Sequence, residues 1–359
     1  RQASQQFTES ESMRRLRLAA FFGSVVLGSI LFASGASADP AKTGYPNSMA
    51  STGDSITRAY NTCWFPYVDC PSNSWSTGTN SSVNSHYRRI LAANSTISGK
   101  NYNDAASGAK MADLNGQVGS AVGQNVEYVT ILMGANDVCT SSESSMTSVA
   151  TFRSQFQTAM NTVTAGLPNA RIYVSSIPNI YQLWNVLKNN SSARTVWALF
   201  GICQSMLQNP TSTAQADVDR RARVQQRNID FNTQLQQVCA QYIHCRYDNG
   251  AAYGIAFSSS NVTTRDYFHP NISGQLLAAN TTWAATFNFA DNVAPTSTAT
   301  SVVVSGGISV SIGATDNAGV QGIEYKIGAG AWVRYTGAVT VATGSTITFR
   351  AVDVNGNIE

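Results

Sequence analysis

Short apolar runs alternate with stretches of helical periodicity between residues 46 and 289, and this alternation limits the possible folds more than any other feature of the chain. Candidate strands cover residues 49–52, 127–133 and 171–175, with a weaker one at 245–247. Candidate helices cover residues 85–93, 111–122, 144–166, 214–242 and 272–288. Strands that alternate with helices predict an α/β fold with a parallel sheet covered on both faces. Ligands bind such a sheet at the carboxyl ends of its strands.

The first 38 residues are typical of an export signal. Residues 13–17 read Met-Arg-Arg-Leu-Arg and give a basic start, residues 18–32 are mostly apolar, and Ala36-Ser37-Ala38 is a small-residue cleavage site. Residues 1–12 lie upstream of the signal's own Met. A membrane anchor is the competing interpretation, but an apolar run of about 15 residues is shorter than the roughly 20 that span a bilayer. We therefore expect a secreted protein with no transmembrane segment.

The charge of the chain gives no reason to expect a charged partner. It carries 23 Lys and Arg against 20 Asp and Glu, a formal net charge of +3, and the predicted signal contributes most of this excess. One basic cluster lies between residues 220 and 227, in a helical pattern that also contains Asp, and we interpret it as a solvated helix face. Neither nucleic acid nor an anionic membrane is therefore an expected partner.

The chain contains six cysteines, an even number that predicts three disulfides in an exported protein. They are Cys63, Cys70, Cys139, Cys203, Cys239 and Cys245. Fifteen pairings are possible. We favour sequential pairing because the first and third pairs then close short local loops. The cysteine spacings do not match a zinc site and the three histidines are scattered, so we expect no metal.

Two segments interrupt the alternation of strands and helices. Residues 63–82 are rich in Trp, Pro, Ser and Asn, and residues 178–210 contain Trp184, Trp197 and Phe200. Long loops in compact domains are often functional, so these aromatic side chains could line an acyl pocket. The alternative is that they fill the core or cover a sheet edge.

The composition changes after residue 289. We assign residues 39–289 to the α/β domain, residues 290–299 to a linker and residues 300–359 to a small all-β sandwich. The sandwich is predicted from short β-like runs at 301–305, 308–312, 322–327, 331–335, 338–341 and 346–352, which Gly and Asn separate. Because the chain stops close behind the last run, a truncated module is one interpretation.

Ser55 is the first candidate for a chemical role. It is the third residue of Gly53-Asp54-Ser55-Ile56-Thr57, directly after the first predicted strand, and we expect it on a turn between that strand and a helix. Backbone N–H groups at such a turn lack helical acceptors, and they favour a developing negative charge. A nucleophile is one interpretation of this serine, and a helix cap is the other.

His269 is the candidate general base by elimination. His86 falls within a predicted helix and His244 near the start of a predicted strand, so both are more simply structural. His269 could take a proton from Ser55 and later give it to a leaving alcohol. Asp266, three residues earlier, could hold the other ring nitrogen, although a turn-forming role is also possible.

Two further groups could stabilise an oxyanion together with the Ser55 N–H. Asn136 follows the apolar strand at 127–133, where its amide could donate a hydrogen bond, although Gly-x-Asn-Asp is also an ordinary loop. Gly108 has no side chain, so its N–H could approach a ligand closely. Loss of one such donor typically costs about 3 kcal/mol of transition-state stabilisation.

These blocks together resemble the GDSL or SGNH hydrolase family. Residues 53–57, Gly108, Gly134-Ala135-Asn136-Asp137 and Asp266-Tyr267-Phe268-His269-Pro270 match its four blocks in order and spacing, over about 46–289. Ile56 replaces the more common Leu, which is a conservative change. Cys139, directly after the third block, is similar to secreted actinobacterial esterases and phospholipase-like members. The resemblance implies a flavodoxin-like three-layer fold and ester hydrolysis through an acyl-enzyme.

Other classes are less well supported. No Gly-x-Ser-x-Gly elbow, phosphate loop or zinc-protease motif occurs, and no cofactor is expected. The leading hypothesis is a secreted esterase or lipase acting on small-molecule or lipid esters. A carbohydrate acetyl esterase and a non-catalytic glycan- or lipid-binding protein are the alternatives. Residues 300–359 resemble the Ig-like repeats of bacterial extracellular enzymes, which implies polysaccharide or cell-surface contact or, as we slightly favour, a spacer.

Overall fold

The computed structural model describes residues 32–34 and 42–359, so almost all of the predicted export signal lies outside the described residues. The helices are α1 His86–Ala93, α2 Leu114–Gly123, α3 Ala135–Val138, α4 Val149–Gly166, α5 Ile180–Leu187, α6 Ser191–Leu199, α7 Gln204–Leu207, α8 Gln215–Cys239 and α9 Ile272–Ala285. The strands are β1 Phe32–Ser34, β2 Met49–Gly53, β3 Asn101–Asn103, β4 Tyr128–Leu132, β5 Arg171–Val174, β6 Cys245–Tyr247, β7 Thr296–Val304, β8 Gly307–Thr315, β9 Val320–Ile327, β10 Val333–Arg334, β11 Val339–Val341 and β12 Ile347–Asp353. No helix in the described part of the chain meets the length and apolarity needed to span a membrane.

A five-stranded parallel sheet with the order β3-β2-β4-β5-β6 forms the centre of the α/β domain. All four predicted strands are confirmed as β2, β4, β5 and β6. The edge strand β3 was not predicted, because its sequence Asn-Tyr-Asn is short and polar. Such a strand has no apolar run, and its pairing with β2 rather than its composition makes it a strand.

Both faces of the sheet are covered, which gives the predicted three layers. All five residues of β4 are buried, and successive side chains point to opposite faces. Val129 and Ile131 belong to the cluster under α2, α4 and α8. Tyr128 and Leu132 belong to a second cluster under α1 and α9. A strand buried on both faces has a continuous apolar sequence, which explains why β4 was the clearest strand signal.

The segment at residues 178–210 is not the irregular loop that we expected. It contains α5, α6 and α7. The side chains of Asn179 and Asn190 accept hydrogen bonds from the backbone of the first turns of α5 and α6. Each of these helices is short, and Asn and Gly residues, which also favour loops, separate them. The helical periodicity was therefore not recognised in the sequence.

The six cysteines form the disulfides Cys63–Cys70, Cys139–Cys203 and Cys239–Cys245, which confirms sequential pairing. Two of them close loops of a few residues. The second joins the segment after α3 to the start of α7, and both of its cysteines line the cavity described below.

The C-terminal part of the chain consists of two β-sheets. One has the order β11-β8-β7 and the other β1-β12-β9-β10, with antiparallel pairing except between β1 and β12. Strand β7 begins at Thr296, five residues before the predicted strand and inside the segment assigned to the linker. The boundary was hard to predict because a Thr- and Ser-rich sequence suits a linker and an exposed strand equally well.

The two C-terminal sheets, which we call the β-module (residues 296–359), pack against the amino end of the central sheet, opposite the end at which ligands are expected. Arg171, the first residue of β5, donates hydrogen bonds to the Asn355 carbonyl and the Asn357 side chain at 2.8 and 2.7 Å. Burial is the main cause that lowers the pKa of Arg171, to about 10. Arg350 of the module donates in return to Asn169 and Pro168. These contacts leave the carboxyl ends of the strands free of the module.

Candidate active site

Ser55 lies two residues beyond the end of β2, at the carboxyl edge of the sheet. The helix expected after it does not form. Residues 54–61 are instead a series of turns, in which Ala59 and Asn61 adopt positive φ angles of 49° and 65° that an α-helix cannot accommodate. The N–H of Ser55 is therefore not at a helix N-terminus, and the dipole argument does not apply to it.

The turn is fixed to the strand through Gly53. This residue has φ of 146°, and a Cβ there would lie 2.3 Å from the Leu132 carbonyl oxygen, so only glycine fits. The side chain of Gln117 on α2 accepts from the Gly53 N–H at 2.7 Å and donates to its carbonyl at 2.9 Å. These contacts hold the backbone immediately before Ser55 in one conformation.

Ser55, His269 and Asp266 form a continuous chain of hydrogen bonds. His269 Nε2 lies 2.7 Å from Ser55 Oγ, and His269 Nδ1 lies 2.8 Å from Asp266 Oδ2. Asp266 Oδ1 accepts the backbone N–H groups of Phe268 and His269 at 2.8 and 3.0 Å. An imidazole between a hydroxyl and a carboxylate can take the hydroxyl proton and be stabilised as it becomes charged.

The environment of Asp266 keeps this carboxylate ionised. Burial acts to raise its pKa, but the hydrogen bond and charge of His269 and the two backbone N–H groups outweigh burial, so the pKa of Asp266 is lowered. An ionised carboxylate can only accept hydrogen bonds, so the proton of the neutral imidazole lies on Nδ1, which donates it to Asp266. The other ring nitrogen, Nε2, then has a lone pair that faces Ser55.

The three expected oxyanion donors border the same cavity as Ser55. Asn136 lies in α3, directly after β4, and its Nδ2 donates one proton to the Ala109 carbonyl at 2.9 Å, which leaves the second proton available. Within residues 42–359, the N–H groups of Ser55 and Gly108 donate no hydrogen bond. Gly108 has φ of 84° and open space where a Cβ would be, so its backbone conformation, rather than close packing, favours glycine.

Asn61 contacts the site but was not identified from the sequence. Its Nδ2 donates to Asp266 Oδ2, and its Oδ1 accepts the Tyr67 N–H at 2.6 Å. Asn61 is buried and holds a positive φ. Nothing in a single asparagine six residues after Ser55 distinguishes it in the sequence, because its partner lies about two hundred positions away.

The other two histidines, His86 and His244, lie away from Ser55. His86 is buried between the Tyr128 hydroxyl and the Thr282 hydroxyl, each at 2.9 Å, and burial followed by the charge of Arg89 lowers its pKa to about 3. His244 lies 3.4 Å from Glu324 of the β-module. Neither lines the cavity at Ser55.

Two cavities meet at Ser55, Asn136, Phe268 and His269. The wider one has a volume of about 450 Å³ and is lined in addition by Tyr60, Tyr67, Ser107, Gly108, Cys139, Phe200, Ile202, Cys203 and Asp266. The narrower one, about 50 Å³, is lined in addition by Ile56, Ala135, Pro178, Asn179, Ile180, Leu183, Phe257, Val262 and Pro270. Most of the surface that lines each cavity is apolar.

Of the aromatic residues in the segment at 178–210, one lines a cavity and two are part of the core. Phe200 lines the wider cavity. Trp184 and Trp197 are buried in the core, where their ring N–H groups donate to the Pro210 and Tyr267 carbonyls at 2.8 and 3.0 Å.

The family model that matches this chain makes it a carboxylic ester hydrolase, with the described site at the carboxyl edge of its three-layer parallel sheet. Residues 51–303 match the family model described as GDSL-like lipase/acylhydrolase, which covers more than half of the chain. The chain belongs to this family, as the four sequence blocks predicted.

Solved structures to which this chain is similar include an extracellular lipase from Streptomyces rimosus, at 17% identity and a TM-score of 0.41, covering 67% of this chain and 99% of that one. A psychrotrophic esterase from Pseudoalteromonas sp. is 15% identical with a TM-score of 0.41, covering 67% and 96%. A family 3 carbohydrate esterase from Clostridium thermocellum is 12% identical with a TM-score of 0.39, covering 68% and 94%. No curated protein matches the chain.

Proposed function

We propose that this chain is a secreted serine esterase that hydrolyses carboxylic esters of lipids through an acyl-enzyme on Ser55. The observation that carries the proposal is the 2.7 Å contact between Ser55 Oγ and His269 Nε2, with Asp266 behind the imidazole. The three disulfides support an exported protein, because such bonds persist in oxidising compartments.

In the first half of the reaction, Ser55 Oγ attacks the ester carbonyl carbon while His269 takes the hydroxyl proton. The carbonyl oxygen becomes an oxyanion, which the N–H groups of Ser55 and Gly108 and the amide of Asn136 stabilise. The tetrahedral intermediate collapses as the C–O bond to the alcohol breaks and His269 returns the proton to the leaving oxygen. The products are an acyl-Ser55 ester and a free alcohol.

In the second half, a water molecule attacks the acyl carbon and His269 takes its proton. The bond to Ser55 Oγ breaks, the proton returns to Ser55, and a carboxylic acid is released. Asp266 stays ionised throughout and stabilises the imidazolium at each half-reaction.

The lining of the two cavities supports a lipid ester. An acyl chain gains free energy by leaving water for an apolar recess, about 0.8 kcal/mol for each buried CH₂. The narrow cavity offers Ile180, Leu183, Phe257 and Val262 for this purpose and adjoins Ser55 directly.

Ser55→Ala tests the nucleophile. We expect hydrolysis of p-nitrophenyl esters by this variant to fall by at least about 10⁴-fold and labelling of the protein by a fluorophosphonate to disappear. Full activity of Ser55→Ala would overturn the proposal, and an unlabelled wild type would favour the non-catalytic binding protein instead.

A chain-length profile tests the substrate class. Octanoyl esters should be cleaved with a higher kcat/KM than acetyl esters. The reverse order, together with release of acetate from acetylated sugars, would favour a carbohydrate acetyl esterase.

A structural role for the β-module is supported by its buried contacts with Arg171, and polysaccharide contact through it stays a prediction.

A further inference from the structure

Five large apolar side chains are exposed on two segments that each contribute a residue to the lining of the wider cavity, and we call them the apolar rim. Three belong to the loop closed by Cys63–Cys70 and two to the end of α6 and the residue that follows it. They are Trp64, Phe65, Tyr67, Leu199 and Phe200, with exposed fractions of 92%, 63%, 52%, 73% and 57%. Exposed apolar residues scattered singly are ordinary, but five on two segments that both reach one cavity mark an interaction surface.

The rim is continuous with the cavity that contains Ser55. Tyr67 and Phe200 line that cavity and are also exposed, and their ring centroids are 6.2 Å apart. Trp64 and Phe65 precede Tyr67 in the same short loop, and Leu199 precedes Phe200. A molecule that contacts the rim therefore lies at the entrance to the site.

The backbone under the rim is tied in place, so its side chains cannot retreat into the core. Arg265, next to Asp266, donates to the carbonyls of Asn61, Trp64 and Phe65 at 3.0, 2.8 and 3.1 Å. Phe200 lies three residues before Cys203, which is bonded to Cys139. Ordering these loops with their apolar side chains exposed is unfavourable in water and becomes favourable when an apolar surface covers them.

The charged groups next to the rim are already engaged. Arg58 and Asp69 pair with each other at 3.0 Å, and Arg265 uses its donors on backbone carbonyls. Asp69 is the only charged residue within the rim segments 63–70 and 199–200, so these segments offer no unpaired charge to an ionic partner. Leu199 adds an aliphatic surface, on which sugar rings do not stack.

We propose that the apolar rim docks on the surface of a zwitterionic or uncharged lipid aggregate and so brings a lipid ester to Ser55. Trp and Tyr favour the boundary between headgroups and acyl chains, and Phe and Leu partition into the acyl region. This inference rests on the proposed function for its substrate, but docking itself requires no catalysis.

The test uses the Ser55→Ala variant, so that the lipid is not consumed, and phosphatidylcholine vesicles as the probe. Sedimentation with vesicles gives the partition coefficient. Adding Trp64→Ala and Phe65→Ala should lower this coefficient by about tenfold or more, because each exposed aromatic group would contribute buried apolar area. Val303→Ser, an equally exposed apolar residue on β7, is the matched control and should leave the coefficient unchanged.

Fluorescence locates the contact. Trp64 is far more exposed than the buried Trp75, Trp184 and Trp197, so the difference between the parent and its Trp64→Phe variant reports on one ring. Vesicles should shift this difference spectrum to the blue and protect it from iodide. The unfolding midpoint of each rim variant should match its parent, since the replaced side chains are exposed.

Equal partition of the rim variants and the parent would overturn the inference, as would the absence of binding to phosphatidylcholine. Binding that requires anionic lipid, or retention on insoluble polysaccharide that Trp64→Ala abolishes, would also overturn it and assign the rim to another partner. None of these results bears on Ser55. Hydrolysis that survives Ser55→Ala would refute the proposed function while leaving vesicle docking measurable.

Discussion

Asn61 donates a hydrogen bond to Asp266 Oδ2, the same oxygen that faces His269 Nδ1. The asparagine belongs to the turn after β2, and its Oδ1 accepts the Tyr67 N–H within the loop closed by Cys63–Cys70. This contact joins the segment that carries Ser55 to the segment that carries His269. Asn61 is therefore a positioning residue that acts through Asp266.

Asn61→Ala should lower kcat by about 10- to 100-fold, because a hydrogen bond to a charged group is worth roughly 1.5–3 kcal/mol. KM should change little, since Asn61 does not line either cavity. Steady-state kinetics on a p-nitrophenyl ester check this. Loss of the donor should also raise the pKa of Asp266 and move the acidic limb of the pH–rate profile upward.

Asn73→Ala is the matched control for this prediction. Asn73 is another buried asparagine nearby, and its amide donates to Thr62 and not to Asp266. A similar fall in kcat for both variants, with no change in either pH profile, would mean that Asn61 only supports the loop.

Asn136→Ala removes the side-chain donor of the proposed oxyanion hole. We expect kcat to fall by about 10²- to 10³-fold with little change in KM, because the donor acts mainly on charge that develops in the transition state. The comparison should be made with a substrate whose acylation step is rate-limiting. A loss below about threefold would remove Asn136 from the hole.

The buried carboxyl group of Asp54 should make the free energy of unfolding depend on pH. Burial, the largest cause, raises its pKa to about 6, although the Ile56 N–H and the charge of His269 oppose the shift. A raised folded-state pKa means that its contribution to stability is complete below the unfolded pKa near 4 and is lost as the pH rises through 6. The loss amounts to about 3 kcal/mol of unfolding free energy.

Asp54→Asn should remove this loss, because the amide does not ionise and its oxygen can still accept the Ile56 N–H. Urea unfolding at pH 4 and pH 7.5 should show that the wild type loses about 2.4 kcal/mol more than the variant over this interval. Asp230→Asn on α8 is the control. The same pH dependence in wild type and Asp54→Asn would contradict the assignment.

The disulfides should contribute to stability in the order of the loops that they close. Cys139–Cys203 joins residues 64 positions apart and Cys239–Cys245 residues 6 positions apart. The chain-entropy relation gives about 4 kcal/mol for the first and about 2.4 kcal/mol for the second. Unfolding of the two double Cys→Ser variants in guanidinium chloride checks this order. Greater destabilisation by Cys239→Ser/Cys245→Ser would contradict it.

Much of the fold could be predicted from the sequence because its signals are local. The strands β4 and β5 are mostly apolar and fully buried, as expected for parallel strands that face the core on both sides, and β2 is a short, fully buried run of small and apolar residues. The disulfides at 63–70 and 239–245 were predictable for the same reason, since their partners are near neighbours in the chain.

What the sequence could not predict depends on partners far along the chain. The polar strand β3 becomes a strand only because β2 lies beside it, and the helix expected after Ser55 is replaced by turns that Gln117 and Asn61 help to hold. The solvent exposure of Trp64 and Phe65 likewise could not be predicted from the sequence, because aromatic residues are usually buried in the core.

The sequence by itself determined the family, the central sheet and the chemical types of the site residues, because each of these depends on short blocks of neighbouring residues. Only the tertiary structure decided that Ser55 and His269 lie 2.7 Å apart, that Asn61 reaches Asp266, and that Tyr67 and Phe200 of the apolar rim line the cavity at Ser55. Distances between residues about two hundred positions apart are set by how the layers pack, and no local pattern encodes that packing.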